Sequence, residues 1–512
     1  MHRRTSSRSP RAPRARRFAI VAAAATLAPL TAFSGLAVPS QAAAPATAAT
    51  PSRAAAEPTG NHLWSPAAAT GYLYGKRKMA SVPLDLRFVA GDSPVEIWSN
   101  RSSYTEPIRS VVRTASGDVA LPAGTLKSFG GLSRFVSVKV TDARTGKLVR
   151  TASRDACLNG YGQRVRPEAP ARSPYPHGCY ANPYSTGSVQ GVQAGWSVPL
   201  VDYDGSLRLP KGRYVATVVV APKYAAALGL TAVEATRTIK LKVAKEPHDH
   251  DDHDHGDDGG GLKPSGTTGP TGRRLAASDV EGPVPNLRSL PAWGITVAEN
   301  GNYLRFSATV WNAGNSPLVV DGFVNEQQDR MSAFQYFFDG EGNQTGYQPV
   351  GSFEFDHKAT HQHWHFRDFA TYTLLRADKS TAVVSRKEAF CLANTDAVDL
   401  TVPDADWNPE NTDLSTDCGS EDSLSLRQVL AAGWGDTYAQ FRAGQSFDLR
   451  NLPNGTYYIA TIANPRRRLI ESSTDDNVAL RKVIISGKPG ARKVRVPQVG
   501  LVVENNDVEG GL

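Results

Sequence analysis

Acidic residues are missing from positions 1–17, which carry seven arginines. An Ala-rich apolar stretch from Phe18 to about Val38 follows, and then the small-residue region Ser40-Gln41-Ala42-Ala43-Ala44. That order of basic, apolar and small segments predicts an export signal over residues 1–43 and a secreted, extracellular protein. Arg16-Arg17 hints at twin-arginine export, but its flanks fit poorly, so the Sec route stays open as well. After the signal, no run is long and apolar enough to span a bilayer, so no transmembrane segment is expected. An excess of one charge is lacking too. The chain has 57 Lys+Arg and 49 Asp+Glu, and removing the seven signal arginines leaves 50 against 49. The pI of 9.2 is therefore a property of the leader and gives no reason to expect a nucleic-acid partner. Cysteine is scarce, with four residues in all. Their even number and the oxidising export context suggest two local disulfides, Cys157–Cys179 and Cys391–Cys418, although four cysteines allow three pairings.

Two stretches lack the apolar residues that a core needs. Residues 44–60 are rich in Ala, Pro and Thr and predict a disordered lead-in. Residues 246–279 open on Glu-Pro-His-Asp-His-Asp-Asp-His-Asp-His and continue in Gly, Asp, Pro and Thr, which predicts a linker. Between and beyond them lie an N-terminal domain, 61–245, a C-terminal domain, 280–485, and a tail, 486–512. Each domain is long enough to bury a core.

The two domains look like copies of one another. FVSVKVTDARTGKLVRTASRDAC (135–157) aligns without gaps to FATYTLLRADKSTAVVSRKEAFC (369–391). Ala194-Gly195-Trp196 parallels Ala432-Gly433-Trp434, and LPKGRYVATVVVAP (209–222) parallels LPNGTYYIATIANP (452–465). Such internal similarity exposes architecture. Helical patterning is rare, and only 424–432 (LSLRQVLAA) reads as a helix. Elsewhere β-branched and aromatic runs such as 305–310, 371–375 and 457–462 alternate with Gly, Pro and Asn turns. The expected class is all-β, with two duplicated β-sandwich-like domains joined by the His/Asp/Gly linker.

Histidine is concentrated in two places. His248, His250, His253 and His255 stand among the linker aspartates, where such a tract binds metals loosely or serves as a solvated spacer. His357, His361, His363 and His365 are the only histidines of the C-terminal domain. On a strand, residues i, i+2 and i+4 share a face. His361, His363 and His365 would then offer three imidazoles to one metal, with positions left open for water, oxygen or substrate. Imidazole suits Cu(II), Zn(II) and Fe(II), and spacing alone does not choose among them. Trp364 and Phe366 interleave, which suggests that the opposite face is buried. The aligned positions in the N-terminal copy are Lys127, Phe129 and Gly131, so the shared fold does not require these histidines.

At this point the chain resembles the lysyl oxidase family. FEFDHKATHQHWHFRDF is similar to that family's W-x-W-H-x-C-H-Q-H-x-H segment, with His361, His363 and His365 on the copper ligands. Lys387-Glu-Ala-Phe390-Cys391-Leu392 resembles its Lys-x-x-Phe-Cys-Leu, and Asp436-Thr437-Tyr438 its Asp-Thr-Tyr. NLPNGTYYIATIANPRRRLIESSTDDN is similar to its closing stretch, and the likeness spans most of 280–482. The resemblance implies copper(II) and a self-derived lysine tyrosylquinone made from Lys387 and Tyr438. It also implies oxidation of primary amines, peptidyl lysine among them, by molecular oxygen to aldehyde, hydrogen peroxide and ammonia. It allows calcium at Asn286, Leu287, Glu471, Ser473, Asp476 and Asn477, with fewer acids than the family uses. Departures are visible: Thr360 replaces a family cysteine, and the Lys-to-Tyr separation is longer, with the extra length expected in 396–420. The N-terminal copy has Ser153 and Leu200 at the lysine and tyrosine positions, which reads as a non-catalytic relative. Two other functions stay open on the residues alone, a secreted copper-binding protein without oxidase activity and a three-histidine zinc or iron enzyme.

Overall fold

Runs rich in Val, Ile, Thr, Tyr and Phe become strands almost everywhere in the chain, as their preference for a pleated, half-buried surface dictates. A computed structural model describes residues 59–114, 117–200, 206–245, 269–324, 330–357, 362–385, 389–411, 414–421, 423–442 and 444–504. All fall within one compact unit, Glu57–Leu512. The expected export signal at 1–43, and most of the expected lead-in and linker, lie outside the described residues. The protein is all-β, with one short α-helix, Pro222–Ala227, among the described residues. The sequence reading missed that helix, which starts on a proline placed where its missing N–H costs nothing.

One topology occurs twice. In the N-terminal half, Leu132–Asp142 lies between Leu148–Ala156 and Gly212–Val220, with Thr236–Lys245 beyond. In the C-terminal half, Ala370–Arg376 lies between Thr381–Val384 and Gly455–Ala463, with Val478–Ser486 beyond. Even the register recurs. Tyr214 faces Asp142, and Tyr457 faces Arg376, the aligned residue. Each tyrosine hydroxyl donates to a proline carbonyl four residues earlier, Pro210 at 2.9 Å and Pro453 at 2.7 Å. Stacked sheets enclose a core in each half. Phe88, Ile97, Phe135, Val218 and Leu241 belong to one core, and Phe306, Phe353, Trp364, Leu374 and Ile459 to the other. Both disulfides form as expected, Cys157–Cys179 and Cys391–Cys418.

The second pair of sheets shows where the copies part. Gly187–Val192, Val95–Asn100, Arg109–Thr114 and Gly117–Ala120 make a four-stranded sheet. Its counterpart runs Ser425–Leu430, Leu318–Val324, Arg330–Phe338 and Gln344–Asp356, then adds His363–Arg367 and Ala389–Phe390. The histidine-bearing strand is thus an extension of a sheet whose N-terminal version stops before it.

Ser425–Leu430 corrects the helix expected at 424–432. The misreading came from Gln428, which looks like the polar side of a helix. It is fully buried instead, accepting from the Leu392 N–H at 3.0 Å and donating to the Trp364 carbonyl at 3.0 Å. Its N-terminal equivalent, Gln190, accepts from the Leu158 N–H at 3.2 Å, but its Nε2 has no hydrogen-bond partner among the described residues.

The halves meet directly. The Thr186 N–H donates to the Val398 carbonyl at 2.7 Å, the Ala397 N–H to Tyr180 at 2.8 Å and the Leu400 N–H to Gly187 at 3.3 Å. Tyr184 packs with Trp293, Trp311 and Val398. Trp407 stacks on Tyr175, with ring centroids 5.9 Å apart, and meets Trp98 edge-on at 5.4 Å. Asn408 Nδ2 donates to the Tyr175 carbonyl at 2.8 Å.

The unequal pairing of the two glutamines predicts unequal mutational costs. Gln428→Leu orphans a buried N–H and a buried carbonyl and should cost about 2–6 kcal/mol, at roughly 1–3 per group. Gln190→Leu orphans one N–H while removing an unpaired amide, so less than about 1 kcal/mol is expected. Denaturant unfolding of the full chain measures both, and equal losses would contradict the account.

Candidate active site

The strand His363–Arg367 pairs antiparallel with Phe353–Asp356, His363 facing Asp356 and His365 facing Glu354. Residues in the left-handed region bracket it, Gln362 at φ 34° and Asp368 at φ 65°. Asp368 is tied there by Arg466 at 3.1 Å and Arg468 at 3.3 Å. The interleaved Trp364 and Phe366 are buried against Phe355 and Phe353, as the alternation predicted. The Trp364 N–H donates to the Cys418 carbonyl at 2.8 Å, and the indole N–H to Ser420 at 2.8 Å.

His363 and His365 present their Nε2 atoms to one another at 2.9 Å. His365 is buried and His363 half-buried. Two ligands at about 2.0–2.1 Å from one metal and at a right angle to each other would stand about 2.9 Å apart. The same distance is that of a hydrogen bond between the two rings, so it fits either arrangement. His361 lies outside the described residues. Among those residues no group of three or more His, Cys, Asp or Glu gathers in one place. His357 is exposed, 3.8 Å from Glu421 and edge-on to Phe355.

Tyr438 ends the strand Trp434–Tyr438, which pairs with Tyr303–Asn312 on one side and Asp396–Ala397 on the other. Its hydroxyl accepts from the Cys391 N–H at 2.7 Å and donates to the Cys391 carbonyl at 3.0 Å. Its ring meets Phe390 edge-on at 4.9 Å. Phe390 in turn pairs with Phe366 of the histidine strand. One three-residue segment, 389–391, thus joins that strand to the phenol of Tyr438.

Lys387 lies outside the described residues, but its flanks are held. The Ser385 N–H donates to the Tyr372 carbonyl at 2.8 Å, its hydroxyl to Gly444 at 2.8 Å, and Ala389 pairs with Arg367. Burial, and then the charge of Asp436, push the Tyr438 hydroxyl well above its usual pKa. The same two causes act in the same order on buried Tyr372. Sequence reasoning missed Tyr372 and the buried Asp436. Their signal was weak: Asp436 stands two residues before Tyr438 and so faces the same side of the strand.

Behind this strand sits another missed acid, Asp396. Burial raises its pKa, against hydrogen bonds from Thr437 and Thr395. Its carboxylate accepts from the Thr437 hydroxyl, which also pairs with Thr309 Oγ1 at 2.7 Å.

The residues named for calcium also come together. Glu471 accepts from the Leu287 N–H at 2.8 Å and from the side-chain amides of Asn464 and Asn477 at 2.7 and 2.8 Å. Asp476 Oδ2 accepts from Asn286 Nδ2 at 3.1 Å and pairs with Arg288 at 3.0 Å. Three oxygens there, Asn286 Oδ1, Asp476 Oδ1 and Asn477 Oδ1, are buried without a hydrogen-bond partner in the described structure. Ser473 bonds the Asp475 N–H at 3.2 Å. Burial raises the Glu471 pKa.

Comparison with curated protein sequences finds no match. Comparison with protein-family models finds lysyl oxidase over residues 322–492, a span that includes the histidine strand, the 389–391 segment and Tyr438. That match identifies residues 322–492 as a lysyl-oxidase-like domain within the chain.

Proposed function

We propose that the chain is a secreted copper(II) amine oxidase acting on primary amines, peptidyl lysine first among them, to give aldehyde, hydrogen peroxide and ammonia. The lysyl-oxidase-like domain at 322–492 supports amine oxidation in general. The observation that carries the finer reading is the 389–391 segment, which pairs with the histidine strand and also holds the Tyr438 hydroxyl. His361, His363 and His365 would hold copper, and Lys387 and Tyr438 would supply lysine tyrosylquinone. Together these groups supply two-electron oxidation of the amine with dioxygen as acceptor.

The rest is work for the polypeptide. The Cys391 backbone orients the phenol of Tyr438 from both sides, and Phe390 and Tyr372 keep water from it. Tyr438 keeps its proton on the phenol oxygen before maturation, because burial and Asp436 both oppose the anion. In this proposal residues 280–485 form the catalytic domain and 61–245 a non-catalytic duplicate. The 1–43 signal accounts for export, in keeping with two disulfides.

Loading the protein with copper in air should yield a linked peptide containing Lys387 and Tyr438, found by peptide mapping, and a positive quinone stain. Lys387→Ala or Tyr438→Phe should abolish the link and amine-dependent peroxide, while His363→Ala should lower bound copper. Zinc as the one tightly held metal, or no link in fully copper-loaded protein, would refute the proposal and favour a binding protein or another three-histidine enzyme.

A second proposal concerns Asn286, Leu287, Glu471, Asp476 and Asn477. Oxygen donors left unpaired in a buried site suit a hard cation such as calcium. Arg288 already neutralises one side of Asp476, which weakens the site without filling it. Millimolar calcium should raise the melting temperature by about 2–4 °C per kcal/mol of binding linkage. Asp476→Ala should remove that rise, and an equal rise in the variant would exclude the site.

A further inference from the structure

We infer that the N-terminal half is a positioning element for Tyr438: its segment Tyr180–Gly187 clamps residues 396–400, and Asp396 transmits the clamp to the tyrosine's strand. The inference rests on the proposed oxidase function for its consequence but not for its geometry.

The contacts run in an unbroken series. Backbone bonds join Tyr180, Thr186 and Gly187 to Ala397, Val398 and Leu400. Side chains add to them: Ser185 Oγ donates to the Ala397 carbonyl at 2.8 Å, and Thr186 Oγ1 to Asp399 Oδ2 at 2.9 Å. Gly187 lies so close to Asp399 that any Cβ there would strike the Asp399 carboxylate and the Thr401 hydroxyl. The clamped residues are the immediate neighbours of Tyr438's strand, Asp396 facing Gly435 and Ala397 facing Trp434. Thr395 completes the join, its hydroxyl donating to the Gly435 carbonyl at 3.0 Å and accepting from the Thr437 N–H at 2.7 Å. At the centre, the Asp396 carboxylate accepts from the Thr437 hydroxyl, beside Tyr438, while Asn182 shapes the clamping segment by accepting from the Tyr184 N–H at 2.8 Å.

Charge favours the same union. Residues 59–245 carry 25 Lys and Arg against 11 Asp and Glu, whereas residues 259–512 carry 24 against 30. The near-neutral total hides a basic half and an acidic half, and the clamped region is rich in acid, with Asp396, Asp399, Asp404, Asp406 and Glu410. His177 Nδ1 lies 3.1 Å from Glu410. Opposite fields of this kind steer and hold two surfaces.

The purpose follows from how the cross-link must form. A lysine and a tyrosine of one chain have to meet within bonding distance, and a misplacement of about 1 Å costs about a hundredfold in rate. Cys391 fixes the phenol from the front, and the strand carrying it is fixed from behind by residues 395–397. Those residues depend in turn on the N-terminal half. The matched family domain, 322–492, does not itself contain this support.

The test uses the full chain and three variants, Gly187→Val as a wedge, Asn182→Leu and the milder Thr186→Val. Two readouts are taken: hydrogen-exchange protection of the Trp434–Tyr438 amides before copper is added, and the rate at which quinone absorbance appears after aerobic copper loading. The expected result is loss of protection at Thr437 and Tyr438 and about tenfold or more slower quinone formation. Bound copper and the Val478–Ser486 amides should stay as in the parent. Restoring a side-chain carbonyl for the Tyr184 N–H with Asn182→Gln should recover part of the rate. Wild-type protection of Trp434–Tyr438 in folded Asn182→Leu and Thr186→Val would overturn the inference. If protection falls but the parent forms no quinone, the clamp stands and the oxidase proposal fails instead.

Discussion

The Tyr438 hydroxyl is bonded twice to one residue, accepting from the N–H of Cys391 and donating to its carbonyl. Much of the C-terminal half is arranged around that pair of bonds. Cys391 is joined by its disulfide to Cys418, and the Cys418 carbonyl receives the N–H of Trp364, between the two described histidines. Leu392 is held by Gln428, whose amide also grips the Trp364 carbonyl. Tyrosine, disulfide, glutamine and histidine strand therefore form one closed circuit of short contacts. A buried polar network of this sort is costly if half satisfied and rigid when complete. It is complete here at the atoms that set the spacing between the imidazoles and the phenol.

The internal duplicate shows how little of this belongs to the fold itself. The N-terminal half has the disulfide, the glutamine under the leucine N–H, the tyrosine corner and the same strand register. It lacks the sheet extension that carries the histidines, and Leu200 stands where Tyr438 does. The scaffold accounts for the stability of both halves, whereas the added strand and a few substituted side chains account for the difference in chemistry.

The all-β class, the disulfide pairs, the internal repeat and the alternation of His363, Trp364, His365 and Phe366 were legible because each rests on a local signal. Period, parity of cysteines and self-similarity need no knowledge of distant contacts. What could not be read depends on such contacts. Ser425–Leu430 looks helical until Gln428 is seen to face inward, and the repeat held the missing clue, since the aligned Gly187–Val192 (GSVQGV) has two glycines and two valines, poor material for a helix. Asp396 and Tyr372 are ordinary letters whose role appears only when burial and neighbours are known. The whole-chain charge was also misleading, because a sum hides segregation between halves.

Residues 396–420, where the resemblance led us to expect extra length, have a structural role. In the structure the first part of that interval is occupied by the other half: Ala397–Leu400 bonds to Tyr180–Gly187, and Trp407 and Asn408 pack on Trp98 and Tyr175. A segment that only decorated the surface would bury little. This one packs half-buried Trp407 against two aromatic rings and places the Asp396 carboxylate beside the Tyr438 strand. The two halves are thereby joined, and the duplicate, which has no counterparts of His361, His363 and His365, acts on the site through the strand it supports rather than through any group of its own.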